Sequence, residues 1–370
     1  MSIKTTTICR KFSMLLYFML ILQVAKAQKN FDKVDDWLQN NLEELGGRAV
    51  LLIYKDGKVI YTKSENGLSK RQKMVAKFIA KRQGKDQSEI TEDLDPSSRL
   101  RIASCSKWLS AALVMTFVDE GKLNLDDSVG KYLPIMTANG KGNIKIWQCL
   151  SHLTGIKAGT IKESIDEMKE IKSMDEAIEK IAEQPMEGEP GKTFHYSSVG
   201  LQIAGAVIEK ISGKSFETLF AERIAKPCDM KNTDFGKGKV ALPAGGAFST
   251  EEDYMNFLVM ILHDGKYNGK QVVSRSLIIK MQQNYAKGAK VISSPAEAGS
   301  WGYGFGEWVM EEPNVRSQGV TSPGLFGSFP WVDNEKKYAG FLFCFNLKSK
   351  GRNERYKELK KLVDEAIEKK

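Results

Sequence analysis

Strand-like segments occupy the two ends of this 370-residue sequence, while helical patterns fill its middle. Ala49–Tyr54 and Val59–Ser64 are apolar or β-branched, and the Lys-Asp-Gly-Lys sequence between them is typical of a hairpin turn. Trp301–Met310 and Tyr338–Asn346 are aromatic and β-branched in the same way. The simplest packing pairs the first and last strands, so we predict an α+β fold with one antiparallel sheet made from both ends of the chain.

Two amphipathic helices are predicted beside these strands. Phe31–Leu45 and Arg352–Lys369 each place apolar residues at helical spacing along one face. Further helices are predicted in the middle of the chain, at Ile102–Glu120, Ile171–Gln184, Val199–Ile211, Met255–His263 and Ser276–Gln283. We expect the terminal helices to cover one face of the sheet and the helical middle to lie beside it.

These patterns divide the chain into two parts with a cleft between them. The sheet part is predicted at about 28–102 and 300–370, and the mainly helical part at about 103–299. A cleft between two such parts is a common place for a ligand site. The highly charged segment Leu68–Pro96 lacks a strong core pattern, and we predict that it is a solvated, partly helical insertion.

The first 27 residues have the pattern of a signal peptide. Lys4, Arg10 and Lys11 precede an apolar run from Met14 to Val24, and Ala25-Lys26-Ala27 supplies a small-x-small cleavage site. The run is shorter than the roughly 20 apolar residues that span a bilayer. We therefore expect residues 28–370 to be the mature protein, periplasmic or secreted and without a stable membrane span, with an uncleaved membrane anchor as the alternative.

Composition limits the function classes. Hydrophobic residues make up 42% and aromatic residues 9% of the chain, which excludes a disordered or coiled-coil protein. The net charge of +9 includes four cations of the leader, so the remaining excess is small and no nucleic-acid partner is expected. Three histidines and no CxxC or HExxH motif predict no metal site and no cofactor.

The four cysteines after the leader are predicted to be buried free thiols, with one disulfide bridge as the alternative.

The start of the Ile102–Glu120 helix carries the strongest chemical signal. Ser104 lies near the helix N-terminus, where free N–H groups and the helix dipole favour a developing negative charge. Lys107 follows three residues later on the same face, and a lysine whose pKa is lowered by burial can take the proton of a serine. The same residues also fit a helix N-cap and a solvated lysine, and the spacing alone does not decide between these interpretations.

Ser104-x-x-Lys107 is followed along the chain by Tyr196-Ser197-Ser198 and then by Ser322-Pro323-Gly324. In this order the three segments resemble the motifs of the serine β-lactamase and penicillin-binding-protein superfamily, in its class C and esterase-like branch. The first matches the Ser-x-x-Lys motif, the second resembles Tyr-x-Asn, and the third occupies the place of the third motif. The segments 150–156, 208–214, 227–233 and 245–253 are also similar to the family. The resemblance implies a β-lactamase/transpeptidase-like fold for the mature chain.

The resemblance also implies a set of catalytic roles. Ser104 would be the nucleophile that forms an acyl-enzyme, Lys107 would assist its deprotonation, and Tyr196 would act as the partner base and acid. The backbone N–H groups of Ser104 and Leu325 would form the oxyanion hole.

Two positions depart from the family pattern. Ser198 stands in place of the asparagine of the second motif, and Ser322 stands where relatives have lysine or histidine. The cation in relatives helps to hold a substrate carboxylate, so we predict neutral substrates. The resemblance implies that Ser198, Ser322 and Gly324 bind substrate. We select Tyr303 and Phe326 as aromatic residues that line the acyl or alcohol pocket, and packing in the core and between strands is the alternative for the aromatic residues near the late strands.

Three functional hypotheses follow. The first is an exported serine acyl hydrolase, esterase-like, acting on a small-molecule or peptide substrate. The second is a DD-peptidase or β-lactamase, and the third is a non-catalytic binding protein that keeps the fold. A Ser-His-Asp triad through His152 or His195 is a further alternative, but no G-x-S-x-G elbow occurs and we expect both histidines to orient loops by hydrogen bonds. The sequence does not define the oligomeric state.

Overall fold

The computed structural model describes residues 30–82, 91–159, 170–236, 238–310 and 317–368. The predicted signal peptide, residues 1–27, lies outside these ranges. The described helices are α1 (Asp32–Asn40), α2 (Lys70–Arg82), α3 (Ser106–Asp119), α4 (Pro134–Ala138), α5 (Ile146–Leu150), α6 (Met174–Glu183), α7 (Val199–Ser212), α8 (Phe216–Phe220), α9 (Glu251–Leu262), α10 (Arg275–Met281) and α11 (Arg352–Glu368).

The strands of the described chain are short except at its two ends. They are β1 (Arg48–Lys55), β2 (Lys58–Asn66), β3 (Leu100–Arg101), β4 (Thr193–His195), β5 (Phe248–Ser249), β6 (Lys266–Tyr267), β7 (Lys270–Gln271), β8 (Lys290–Ser293), β9 (Gly302–Tyr303), β10 (Trp308–Val309), β11 (Gly319–Thr321), β12 (Phe329–Asp333) and β13 (Tyr338–Cys344). Three further turns have 3-10 geometry, at Ala103–Cys105, Val129–Lys131 and Ala296–Ala298.

A seven-stranded antiparallel sheet joins the two ends of the chain, in the order β2-β1-β13-β12-β11-β10-β9. Strands β1 and β13 pair directly, with Leu51 opposite Leu342. This confirms the predicted α+β fold. The strand predicted at Trp301–Met310 is two short strands instead, because the chain turns back between β9 and β10 through Gly306, whose φ is +74°.

Helices cover both faces of the sheet, and successive residues of β1 show which helices cover each face. Leu51 and Ile53 pack in one core cluster with residues of α1 and α11, such as Val34 and Leu359. Val50 and Leu52 point the other way and pack in the larger cluster that contains α3 and α9. The terminal helices therefore lie on one face, as predicted, and the helical part of the chain lies on the other.

Other sequence predictions have mixed outcomes. The closing helix is confirmed at α11, whereas the first helix ends at Asn40 rather than Leu45. The charged insertion contains helix α2, in agreement with a partly helical segment. All four described cysteines are buried free thiols, so the disulfide alternative is wrong. Within the described ranges, no helix has the length and hydropathy needed to cross a membrane.

Candidate active site

Ser104 lies on a strained turn that leads into the central helix. The short strand β3 is followed by the 3-10 turn Ala103–Cys105, which continues into α3 at Ser106. Ala103 has a φ of +46°, an uncommon conformation for a non-glycine residue that costs about 1–3 kcal/mol. Ala103 and Cys105 are buried, whereas Ser104 is partly exposed. The turn therefore presents the Ser104 hydroxyl at the surface of the helical part, and Ser104 is not the N-cap of α3, which is Cys105.

Lys107 points its amine at this hydroxyl from the first turn of α3. Lys107 Nζ donates hydrogen bonds to Ser104 Oγ at 3.1 Å and to the carbonyl oxygen of Ala244 at 2.7 Å. The lysine is only 4% exposed, and this burial lowers its pKa from 10.5 to about 7. The interpretation of Lys107 as a solvated residue is therefore wrong. A large fraction of the amine is neutral near pH 7 and can accept a proton from Ser104.

Tyr196 completes a group of three side chains around the serine. It follows β4, and its ring lies over Lys107 Nζ, with 4.7 Å between the nitrogen and the ring centroid. Burial raises the pKa of the Tyr196 phenol, and a hydrogen bond with Ser104 lowers it to a smaller extent. The phenol is therefore protonated at neutral pH. The two shifts assign different tasks: Lys107 is suited to accept a proton, and Tyr196 is suited to donate one.

Aromatic rings fix the position of Tyr196. Its ring stacks on Trp308, with 5.2 Å between the centroids, and lies 4.6 Å from the ring of His152. Tyr303 packs behind these rings and is fully buried. A residue that is 0% exposed does not line an open pocket, so the selection of Tyr303 as a pocket residue is wrong. Its role is to support Tyr196 from behind.

His152 holds the loop that carries Tyr196. The backbone N–H of Ser197 donates to His152 Nδ1 at 3.4 Å, and Nε2 lies 3.0 Å from the hydroxyl of Tyr303. Burial lowers the pKa of His152 well below 6.5, and the charges of Lys107 and His195 act in the same direction. His195 pairs with the carboxylate of Glu187 through Nδ1.

Neither histidine can therefore serve as the general base of Ser104. In the part of the chain that the structure describes, neither His152 nor His195 forms a hydrogen bond with the serine hydroxyl. The histidine triad is not formed, and both histidines orient loops, as expected from the sequence.

The loop after β11 packs beneath Ser104. Ser322 is 2% exposed, and its hydroxyl lies 3.2 Å from the carbonyl oxygen of Ser104 and 3.1 Å from that of Gly306. These contacts correct the expectation that Ser322 binds substrate, because its only hydrogen is directed at backbone carbonyls under the serine. Gly324 is also a packing position, since a Cβ there would lie 2.6 Å from the carbonyl oxygen of Ile102.

The two backbone N–H groups that the resemblance assigns to the oxyanion hole remain available. Within the described ranges, neither the N–H of Ser104 nor that of Leu325 donates a hydrogen bond to another group of the protein. Such free donors are what an oxyanion hole requires. Phe326, the next residue, is partly exposed and stacks on Phe345, with 4.4 Å between the ring centroids.

Arg352, which the sequence analysis did not select, fixes the Leu325 loop from the first residue of α11. Its Nη1 donates to the carbonyl oxygen of Leu325 at 3.1 Å and to Glu297 Oε1 at 2.9 Å. Its Nη2 donates to the carbonyl oxygens of Asn346 and Lys348 at 2.9 and 2.7 Å. The only signal in the sequence was a cation in the first turn of a helix, where the macrodipole disfavours it.

The family is decided by a comparison that covers most of the chain. The model of a family named Beta-lactamase matches residues 35–364. The chain belongs to the Beta-lactamase family. Members of the Beta-lactamase family are generally serine hydrolases that act on ester or amide bonds.

Individual relatives span several activities within this fold. A protein of Bacteroides dorei, provisionally described as a beta-lactamase, has a TM-score of 0.74 at 23% identity, over 91% of this chain and 98% of that one. EstCE1, a hydrolase with promiscuous acyltransferase activity, has a TM-score of 0.68 at 18% identity, over 92% of this chain and 99% of its own. The N-acetylmuramyl-L-alanine amidase of Bacillus subtilis is 24% identical over 213 residues, which are 55% of this chain and 46% of the amidase.

Against the Beta-lactamase family pattern, the two unusual serines differ in their surroundings. Ser322 is buried, and its hydroxyl is directed at the backbone carbonyls of Ser104 and Gly306. Ser198 is exposed at the start of α7, where its side chain forms no cap of the helix. A short hydroxyl there can still donate or accept one hydrogen bond from a ligand, although it reaches less far than an amide.

Proposed function

We propose that this protein is an exported serine acyl hydrolase that forms an acyl-enzyme on Ser104 and acts as an esterase on neutral substrates. The observation that carries the proposal is the pair formed by Ser104 Oγ and the buried Lys107 Nζ, 3.1 Å apart, with the pKa of the amine at about 7. A nearby base with this pKa is what a serine nucleophile requires near neutral pH.

The chemistry follows from the placement of the three side chains. Neutral Lys107 accepts the proton of Ser104 while the serine oxygen attacks the carbonyl carbon of the ester. The negative charge that develops on the carbonyl oxygen is stabilised by the N–H groups of Ser104 and Leu325. Tyr196 then gives its phenolic proton to the departing alcohol and regains a proton from Lys107. Water then hydrolyses the resulting serine ester, with water in the place of the attacking serine and the serine oxygen in the place of the departing alcohol. This step restores the free serine and releases the acid.

The preference for neutral substrates rests on the cations at the site. Ser322 supplies no charge, and its hydroxyl is engaged below the serine. Lys107 is the proposed base, and the guanidinium of Arg352 is occupied by three backbone carbonyls and Glu297. Neither cation is left to pair with a substrate carboxylate. The structural similarity to EstCE1, a hydrolase with promiscuous acyltransferase activity, supports acyl-transfer chemistry on this fold.

The second candidate is cleavage of an amide bond, by a DD-peptidase or a β-lactamase. The similarity to an amidase of Bacillus subtilis favours it. The purified protein distinguishes the candidates when its kcat/KM for p-nitrophenyl butyrate is compared with that for nitrocefin and for a peptide ending in D-Ala-D-Ala. We expect the ester to be preferred at least 100-fold. Turnover of nitrocefin or the peptide at rates comparable to the ester would contradict the esterase proposal.

Labelling by a fluorophosphonate tests whether the serine is reactive at all. We expect one adduct per chain by intact mass, lost in Ser104→Ala and kept in the matched variant Ser212→Ala at the end of α7. A well-folded protein that takes no label would contradict the enzyme proposal and favour a binding protein.

Export is proposed on the leader sequence alone. We expect protein recovered from outside the cytoplasm to begin at Gln28, as measured by N-terminal sequencing. An intact N-terminus in a membrane fraction would favour the uncleaved anchor.

A further inference from the structure

Helix α2 is a basic helix in the charged insertion, and the proposed catalytic chemistry makes no use of it. It begins with a capping box, in which the N–H of Gln72 donates to Ser69 Oγ at 3.2 Å and the N–H of Ser69 donates to Gln72 Oε1 at 2.9 Å. The 13-residue sequence of α2, KRQKMVAKFIAKR, contains six basic residues and no acidic residue. The helix therefore concentrates positive charge, whereas the chain as a whole mixes both signs.

Two large apolar side chains of α2 face solvent. Met74 is 66% exposed and Phe78 is 67% exposed, and they lie one helical turn apart on the same face. At 100° per residue, Lys70, Lys77 and Lys81 lie along one side of this pair, and Arg71 lies along the other. All four cations are exposed. An apolar pair bordered by cations is the pattern of a helix that lies in a membrane interface.

The charges of α2 are poorly balanced by the rest of the described protein. Lys73 pairs with Asp93, with 2.7 Å between Nζ and Oδ1. In the described ranges, no carboxylate lies within ion-pair distance of Lys70, Arg71, Lys77 or Lys81. Because Lys73, Lys77 and Lys81 are spaced at i, i+4, their mutual repulsion destabilises the helix until anions approach it.

The shape and charge of α2 favour one kind of partner. A second copy of this chain would bring six cations against six cations, which is unfavourable. A protein partner would need a groove that matches a convex helix. A fluid bilayer with anionic headgroups accepts a convex helix, buries the apolar pair and neutralises the flanking cations.

We propose that α2 is an interfacial helix that binds the surface of an anionic phospholipid bilayer. Met74 and Phe78 enter the boundary between headgroups and acyl chains, and Lys70, Arg71, Lys77 and Lys81 contact lipid phosphates. The protein thereby reaches a membrane surface through α2. This proposal does not depend on the catalytic role of Ser104.

Flotation of the mature chain, residues 28–370, with lipid vesicles tests the proposal. We expect at least tenfold stronger binding to vesicles of phosphatidylcholine and phosphatidylglycerol at 3:1 than to phosphatidylcholine alone, and a loss of this binding in 0.5 M salt because screening weakens the headgroup contacts. The double variant Met74→Ser, Phe78→Ser should bind anionic vesicles at least tenfold more weakly, with an unchanged thermal midpoint and unchanged labelling of Ser104.

Matched variants separate a role of α2 from a general effect of charge or hydrophobicity. Lys77→Gln, Lys81→Gln removes two exposed lysines at i, i+4 of α2, and Lys357→Gln, Lys361→Gln removes an equivalent exposed pair from α11. Leu347→Ser is the control for the apolar pair, since Leu347 is 65% exposed. We expect only the α2 variants to weaken vesicle binding.

Three results would overturn the proposal. The first is a lack of specificity, seen either as equal binding to neutral and anionic vesicles or as an equal loss of vesicle binding in the α2 variants and the control variants. The second is α2-dependent binding to polyglutamate without binding to vesicles, which would indicate an acidic protein partner. The third is α2-dependent self-association in sedimentation velocity without vesicle binding, which would indicate a second copy of the chain.

Discussion

Replacing Lys107 by methionine should make the protein more stable at pH 7, because the buried amine is held at a large free-energy cost. Burial lowers the pKa of Lys107 from 10.5 to about 7, whereas in the unfolded chain the amine titrates near its ordinary pKa. The unfolded state therefore binds more protons than the folded state between pH 7 and 10.5, and the stability of the wild-type protein rises with pH across this window.

The magnitude follows from the same two pKa values. At 1.36 kcal/mol per pKa unit, the difference in proton binding destabilises the wild type by about 4 kcal/mol at pH 7 and by about 1 kcal/mol at pH 10. Lys107→Met removes this pH-dependent term but leaves the carbonyl oxygen of Ala244 without its donor, which costs about 1–3 kcal/mol. The variant should be more stable than wild type by about 1–3 kcal/mol at pH 7, and equal or less stable at pH 10.

Urea unfolding of both proteins at pH 7, 8, 9 and 10 measures this difference. The control is Lys141→Met, which removes a second buried amine that donates to a backbone carbonyl, that of Ala182 at 2.7 Å, away from Ser104. The control should be destabilising at pH 7. A stability difference between Lys107→Met and wild type that stays constant from pH 7 to pH 10 would refute the lowered pKa and with it the proposed base.

Three further predictions concern the supports of the site. Tyr196→Phe should lower kcat for an ester by roughly 10²–10⁴ while the thermal midpoint is kept, because the ring contacts remain and only the proton donor is lost; near-wild-type kcat would exclude its role. Gly324→Ala should lower the free energy of unfolding by about 1–3 kcal/mol in urea titrations, since the added Cβ meets the carbonyl oxygen of Ile102 at 2.6 Å, and an unchanged midpoint would contradict the close approach. Arg352→Gln should lower kcat at least tenfold with little change in KM, because the Leu325 loop loses its anchor; an effect on KM alone would indicate a substrate contact instead.

The strands at both ends of the chain made the sheet predictable. Strands β1 and β13 are apolar on both faces, and such strands are stable in the centre of a sheet whose two faces are both covered by helices. Strands β4 and β8 were not predicted. They are short and pair in parallel across about 100 residues. Strand β8 is exposed along its length, and β4 has only three residues, which is too few to show an alternating pattern.

The motifs led to Ser104, Lys107 and Tyr196, and the structure brings these three side chains together. The supports around them were not visible in the sequence. Arg352 reaches Leu325 only because α11 packs against the sheet, and Tyr303 lies behind Tyr196 only because β9 and β10 turn back on each other. Such contacts depend on the tertiary arrangement rather than on local spacing.

The rate at which a fluorophosphonate acylates Ser104, measured by intact mass from pH 5 to pH 10, tests most directly whether Lys107 activates the serine. The rate should rise with an apparent pKa near 7 in the wild type, following the neutral amine, and should lose both its magnitude and this pH dependence in Lys107→Met. A rate that rises only above pH 9, or one that Lys107→Met leaves unchanged, would show that the serine does not depend on this lysine.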